Sequence, residues 1–332
     1  MKRLSIITFG LLMLVLAACQ TTQPTAVPTR STSTGPRIID ISASVPERGG
    51  FQPDSIEAKE GETITLRFTA KDTRHGVAIG PALGIDLGTL EPGQVKEVTL
   101  TFDKAGKYTF YCNNFCSLKH WRMRGVVDVR NTAGQPVPAP HDPVIDALVA
   151  NGINIDEEHT PADPHSPDLD FAMLPSPDRG IQLISTLALP PDLMSDVNRR
   201  MYTPAEALKL IQTANPRLTK QEAADVVAYL WAGSTPKDQL TSAENLYQKN
   251  CASCHGVTGS GDGPVSALTA KKPIPFTDTV HMFTMRNDVL YAKLRRGGMG
   301  TDMPNFGSVF TPEESWALVN YLRTLSVEPP NK

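Results

Sequence analysis

The amino-acid sequence predicts two folds in series, an all-β sandwich followed by an all-α domain. Three observations carry this reading. From Arg37 to about Arg130, apolar and polar residues alternate with the period of half-buried strands. From Ser242 to Leu325, apolar residues recur at helical spacing. Between these regions the chain turns irregular and rich in Pro and Asp, the signature of a long connection. A length of 332 residues accommodates two or three domains.

The elements follow in order. Lys2 and Arg3 form a positive start, and Leu4 to Leu16 is an apolar run too short to span a bilayer with margin. It ends in Leu16-Ala17-Ala18-Cys19, which resembles a bacterial lipoprotein signal. That resemblance implies a signal peptide over 1–18 and acylation of Cys19. It also implies anchoring to a membrane, facing the periplasm or extracytoplasmic space. Residues 19–36 are rich in Thr, Pro and Ser and read as a flexible tether.

The β region is expected over 37–131. Ile64, Leu66 and Phe68 alternate with Thr63, Thr65 and Arg67, and Val98, Leu100 and Phe102 alternate with Glu97, Thr99 and Thr101. Glu60-Gly61 and Pro92-Gly93 supply turns. Residues 132–200 are expected to be a Pro-rich linker packed on its neighbours, with only brief helical patches. A helical segment over 201–235 follows, with helices predicted at Thr203–Thr213 and Thr219–Trp231, and the last domain covers 236–328. "LTKQEAADVVAYL" (218–230) aligns with "FTPEESWALVNYL" (310–322), and each begins with Thr and a Glu three residues on, a capping-box signature. Two readings stay open: helices that look alike because caps and core faces repeat, or a duplicated domain whose first copy lost its cofactor loop.

Cys251-Ala252-Ser253-Cys254-His255 is the C-x-x-C-H pattern of covalent c-type haem attachment, in which two thiols add to the haem vinyl groups and the His becomes an axial ligand. A thioredoxin-type dithiol would need a βαβ context, which the pattern lacks. The region from about Leu240 to Leu325, including "CASCHGVTGSGDGP" and "GTDMPNF", resembles the small monohaem cytochromes c. The resemblance implies that Met303, followed by Pro304, is the second axial ligand. Met299 on the same Gly-rich loop is its competitor. His and Met together imply a closed, electron-shuttling iron rather than an oxygen-binding one.

The stretch "YCNNFCSLKHWRM" (111–123) places Cys112, Cys116, His120 and Met123 at steps of four, four and three, and His75 arrives from an earlier strand in "RHGVAI". Soft sulfur donors beside imidazoles suit copper. A four-ligand zinc site from Cys112, Cys116, His120 and His75 would leave Met123 unexplained. A Cys112–Cys116 disulfide would make the His and Met accidental. A mononuclear blue copper needs only one Cys. From about Phe51 to Arg130, including "FQPDSIEAKEGETITL", the chain resembles the dinuclear copper (CuA) cupredoxin domain of cytochrome c oxidase subunit II and of nitrous oxide reductase. The resemblance implies that Cys112 and Cys116 bridge two coppers and that His75 and His120 each bind one. Met123 and the backbone carbonyl of Asn114 then complete the sites. Where Asn114 stands, oxidase subunits carry a Glu that serves a second metal, so that extra site is not expected. The chain's seven His are too few for the histidine-rich catalytic propeller of nitrous oxide reductase.

The sequence thus predicts electron transfer between haem c and a dinuclear copper centre, in a subunit II-like component of a respiratory chain. The partners implied are a haem–copper oxidase core subunit or a terminal reductase, with an upstream cytochrome or quinol-oxidising complex. The rival readings are a free-standing donor to a nitrous oxide or nitric oxide reductase, and a copper-delivery protein. A net charge of −3 gives no basic face for nucleic acid. His141, His159, His165 and His281 read as loop or locally bonded histidines. Lys119, Arg122 and Arg124 read as a solvated rim or as groups that steer an acidic partner.

Overall fold

The structure, a computed structural model, describes residues 35–81, 83–156 and 169–329. The signal segment, Cys19, nearly all of the tether, His159 and His165 lie outside the described residues.

Nine strands form the N-terminal sandwich: β1 (Arg37–Ala43), β2 (Phe51–Gln52), β3 (Ser55–Lys59), β4 (Thr63–Ala70), β5 (His75–Gly80), β6 (Ile85–Leu90), β7 (Val95–Thr101), β8 (Gly106–Tyr111) and β9 (Arg124–Arg130). One sheet has the order β2-β1-β4-β7 and the other β3-β9-β8-β5-β6. The alternation in the sequence sets the faces. Ile64, Leu66 and Phe68 are wholly buried between the sheets, and their neighbours face out. On the outer face Thr63 and Thr65 meet Thr101 and Thr99 across strands at 2.8 Å each. The core centres on Phe51, Phe68 and Phe110, three rings in mutual edge-to-face contact with centroids 5.3–5.8 Å apart. Each such pair contributes about 1 kcal/mol beyond the area it buries.

The helical part comprises α1 (Pro143–Ala150), α2 (Pro177–Ile184), the single turns α3 (Pro191–Met194) and α4 (Asp196–Arg199), α5 (Pro204–Ala214), and α6 (Lys220–Ala228), which runs into a π turn at Tyr229–Gly233. Then come α7 (Lys237–Asn250), the short α8 (Ala252–His255), α9 (Thr279–Phe283), α10 (Asn287–Arg296) and α11 (Pro312–Thr324). The expected helices at 203–213 and 219–231 are α5 and α6. The capping boxes form as the sequence suggests: Thr219 with Glu222 and Thr311 with Glu314, and also Thr203 with Glu206.

The stretch read as a linker holds more order than its composition suggests. Its prolines start helices: Asp142 caps α1 ahead of Pro143, and Ser176 caps α2 ahead of Pro177. Proline is well placed at the first helical position, where its missing N–H would have no partner anyway. α2 packs on α6 so closely that a β-carbon on Gly180 would fall 2.0 Å from the carbonyl oxygen of Asp225. The buried Asp225 carboxylate accepts from the Ser176 amide at 2.7 Å and from Arg179 Nε at 2.8 Å. The helical unit therefore begins before residue 201. α1 is joined to α10 by Asp142, which accepts from Tyr291 Oη at 3.0 Å and Arg295 Nε at 2.8 Å.

Candidate metal centre and haem site

His75 opens β5, and the loop between β8 and β9 carries Cys112 through Met123. The β5 backbone runs against that loop because residue 76 is glycine. A β-carbon there would lie 2.1 Å from Asn113 Oδ1 and 3.0 Å from the Asn114 amide nitrogen. A 3-10 turn at His120–Arg122 brings the loop back, and the Cys112 amide donates to the Met123 carbonyl at 3.0 Å. This closure brings the predicted copper ligands together, with Cys116 and Asn114 half-buried. The donor atoms of His75, Cys112 and Cys116 lie within 4.8 Å of one another. Cys112 Sγ is 3.1 Å from the Asn114 carbonyl oxygen, and Cys116 Sγ is 3.7 Å from His120 Nδ1 and 3.8 Å from Met123 Sδ. His75, His120, Cys112 and Met123 are all at most 4% exposed.

The sequence reading missed Asp72. Its Oδ1 lies 2.9 Å from His75 Nε2, which orients the ring and leaves the buried Nδ1, without a conventional hydrogen-bond partner, turned to the sulfurs. Carboxylates hold metal-binding imidazoles in this way. The only signal in the sequence is an Asp three residues before the His, which is too common to be read alone.

The proton balance divides the two thiols. Hydrogen bonding from the Cys116 thiol draws the Cys112 thiol far below its ordinary value against the penalty of burial, helped by His120 and His75. The same bond holds the Cys116 proton well above the ordinary thiol range. His75 sits above the usual imidazole value: burial opposes its charge, but Cys112 and Asp72 outweigh it. No described cysteine is in a disulfide. Two thiols, two imidazoles, a thioether and a carbonyl form a donor set that suits copper.

At the haem motif, α7 runs directly into Cys251, and His255 closes the single turn α8. The buried Tyr247 hydroxyl donates to the Gly256 carbonyl at 2.8 Å and fixes the turn's exit. His255 Nδ1 is 3.3 Å from the Ile274 carbonyl, a contact that assigns the proton to Nδ1 and leaves Nε2 as the lone-pair nitrogen. Burial lowers the His255 pKa to about 4, so the ring is neutral and competent as a ligand. Burial also pushes the Cys251 thiol up to about 12. Met303 and Cys251 pack against the same apolar cluster, which includes Tyr247, Leu318 and Tyr321. Asp302, beside Met303, raises the Cys254 pKa behind the larger effect of burial, which puts the Met303 loop near the motif. Met303 is half-buried, whereas Met299 is 67% exposed. These residues fit a haem held by two thioethers and His255.

The other residues singled out from the sequence stand apart. His141 is exposed and pairs with Asp146 at 3.5 Å, and His281 is buried in α9. Lys119 and Arg122 are exposed. Arg124 is not part of a solvated rim: it reaches into the helical region, with Nη1 2.5 Å from the carbonyl oxygen of Asn305.

Comparison with known proteins bears on the two domains. A family profile for cytochrome c matches residues 241–326, and one for the cupredoxin-like domain matches residues 8–127. Two curated relatives, both cytochrome c oxidase subunit 2 of Thermus thermophilus, are each 36% identical over 81 residues. The match covers 24% of this chain and 58% and 47% of the relatives, so the chain spans about half of their length. Among solved structures, a chain of a heme–copper terminal oxidase dimer is 24% identical with a TM-score of 0.26, covering 33% of this chain and 78% of that one. The periplasmic domain of cytochrome oxidase subunit II from Bradyrhizobium japonicum is 18% identical with a TM-score of 0.24, covering 29% and 86%. The cupredoxin-like domain implies copper and the cytochrome c domain implies haem. The polypeptide therefore joins a cupredoxin-like domain to a cytochrome c domain, has homologues among cytochrome c oxidase subunits 2, and is built for electron transfer involving copper and haem.

Proposed function

We propose that the chain passes electrons between a covalently attached haem c and a dinuclear CuA-type copper centre, as a subunit II-like component of a haem–copper oxidase. The observation that carries this reading is the convergence of the six predicted donors in one largely buried cluster. In this reading Cys112 and Cys116 would hold the copper through their thiolates, with His75, oriented by Asp72, His120, Met123 and the Asn114 carbonyl completing the donor set. The bound pair would supply a redox centre that spreads one electron over two metals. The protein's part is to hold six donors in a sheet-anchored frame that does not need to rearrange. Cys251 and Cys254 would hold the haem covalently, and His255 and Met303 would offer ligands to its iron.

Phe115 and Leu118, 46% and 49% exposed beside the copper cluster, give that end of the sandwich an apolar rim suited to a protein partner. Among the described residues no helix is long and apolar enough to cross a membrane. Membrane attachment in this proposal is through acylated Cys19, on the periplasmic or extracytoplasmic side. The 201–235 segment is read as a haem-less relic of a duplicated cytochrome. Its matching capping boxes and the absence of Cys and His from residues 169–235 support that reading.

Metal analysis and electron paramagnetic resonance of the copper-loaded protein test the copper assignment. The expected result is the multi-line pattern of one electron shared by equivalent coppers, abolished in Cys116→Ser. A protein that returns iron but no copper would overturn it. Mild detergent extraction tests the partner: co-purification with a haem–copper core subunit supports the oxidase reading, and a lone chain supports a free-standing donor.

A further inference from the structure

The two domains meet through the segments that carry their redox ligands. Arg124 follows Met123, and its backbone is fixed at the start of β9 opposite Tyr111 of β8. Its Nη1 donates to the Asn305 carbonyl at 2.5 Å, and its guanidinium lies 5.0 Å over the Phe306 ring. Asn305 stands two residues after Met303. The carbonyl it offers is held firmly: the next two amides, Phe306 and Gly307, donate to the Leu294 and Arg295 carbonyls at the end of α10 at 3.1 and 2.8 Å. On the copper side, the Cys112 amide is bonded to the Met123 carbonyl. No carboxylate pairs with Arg124 among the described residues. Its charge is spent on a carbonyl and a ring.

The surrounding contact is close. Ala78 of β5 and Tyr111 belong to the same apolar cluster as Phe306, Val309 and Phe310 of the cytochrome domain. Gly80 lies so near that a β-carbon would fall 2.0 Å from the Val309 carbonyl oxygen. At the edge, Lys249 pairs with Asp86 at 2.7 Å, with both side chains largely in solvent.

We infer that this interface is the electron-transferring pose of the molecule and that Arg124 is its positioning residue. Its side chain clamps the Met303 loop to the strand leaving the copper cluster. It links Met123 to Met303 through main chain, one side chain and one charge-assisted hydrogen bond. The inference rests on the proposed copper and haem functions. With both groups bound, the residues holding them would support a one-electron exchange, the electron lost by one centre being gained by the other. No proton or atom changes hands.

The test uses the full chain loaded with both metals, together with its metal-free form. Photoreduction of the haem, followed at haem and copper absorption bands, gives the internal transfer rate. Small-angle scattering of the metal-free protein gives the domain arrangement independently. Arg124→Met keeps the volume and removes the donors. Loss of a hydrogen bond to a charged group is expected to slow transfer by about tenfold or more, with the spectra and midpoint potentials of both centres retained. Gly80→Val should wedge the same interface from a second point and slow transfer while enlarging the scattering radius. Lys249→Met, which breaks only the exposed pair, should leave the rate within about twofold. An unchanged rate in Arg124→Met, or a wild-type scattering profile of two independently tumbling domains, would overturn the inference. Failure of the wild-type protein to bind copper would instead refute the proposed function on which it rests.

Discussion

The copper cluster and the haem motif solve the same problem, holding a redox centre still, by opposite means. The copper donors come from three places: β5, the loop after β8, and the 3-10 turn ahead of β9. Sheet hydrogen bonds and the bare backbone at Gly76 bring them together, so the protein supplies the geometry. The haem donors are nearly contiguous. Cys251, Cys254 and His255 occupy little more than one turn, and only Met303 comes from elsewhere. Covalent bonds there would do the work that folding does at the copper site. A site assembled by the fold fails when its frame is disturbed, and a site assembled by bonds fails when a bond is removed.

The sharpest break of that comparison is a crossed pair of deletions. Cys254→Ser is expected to abolish stable covalent haem, seen as loss of haem staining on a denaturing gel, while the copper spectrum survives. Cys116→Ser is expected to abolish the copper spectrum while the haem stays attached. If either deletion removes both centres, the sites are not independent units and the comparison fails.

A smaller disturbance tests whether the copper frame matters beyond its ligands. Gly76→Ala changes no donor, yet its methyl would strike Asn113 and the Asn114 amide. The expected cost is about 1–3 kcal/mol of stability, with weakened copper binding, measured by denaturation and competitive chelation. Equal copper affinity in the variant would mean that the metal can shape the loop by itself.

Asp72 gives a graded version of the same test. Asp72→Asn should weaken copper binding by about 10–100-fold at a pH where His75 is neutral. The pH profile should also move. Asp72 and Cys112 raise the His75 pKa in the metal-free protein, so protons compete with copper to a higher pH than for an ordinary imidazole. Without the carboxylate that competition should end lower, and uptake should begin at a more acidic pH even as the plateau affinity falls. The sign for stability follows as well. A raised folded-state value stabilises the metal-free domain below the ordinary imidazole pKa, and the contribution fades as the pH rises through the folded value. Thermal unfolding of the metal-free wild type should therefore lose more between mildly acid and mildly alkaline pH than that of the variant.

The contrast also explains what was legible in the sequence. The haem motif could be read directly because its donors are neighbours along the chain. The copper donors from Cys112 to Met123 could be read because a loop compresses them, and His75 could be added only as a histidine arriving from an earlier strand. Asp72 and Arg124 were not legible, since each acts on something the chain reaches only after folding: the ring of His75 and the carbonyl of Asn305. The strands were legible because both sheets bury one face, which enforces alternation at Ile64, Leu66 and Phe68. The brief helices within 132–200 have a local origin. Pro143 and Pro177 look like loop residues by composition but occupy first helical positions behind Asp142 and Ser176.

The mildest prediction separates the two methionines of the haem loop. Met303 is half-buried against the cluster that holds Cys251, and Met299 is 67% exposed. Met303→Ala should lower the haem potential and open the sixth position to added ligands, because a thioether opposite His raises the potential. Met299→Ala should leave the haem spectrum unchanged and alter stability by no more than about 0.5 kcal/mol, as expected of an exposed side chain. The reverse result would move the axial ligand four residues toward the N-terminus. It would also detach the axial ligand from the Asn305 carbonyl that Arg124 grips, leaving the copper and haem sites joined by packing alone.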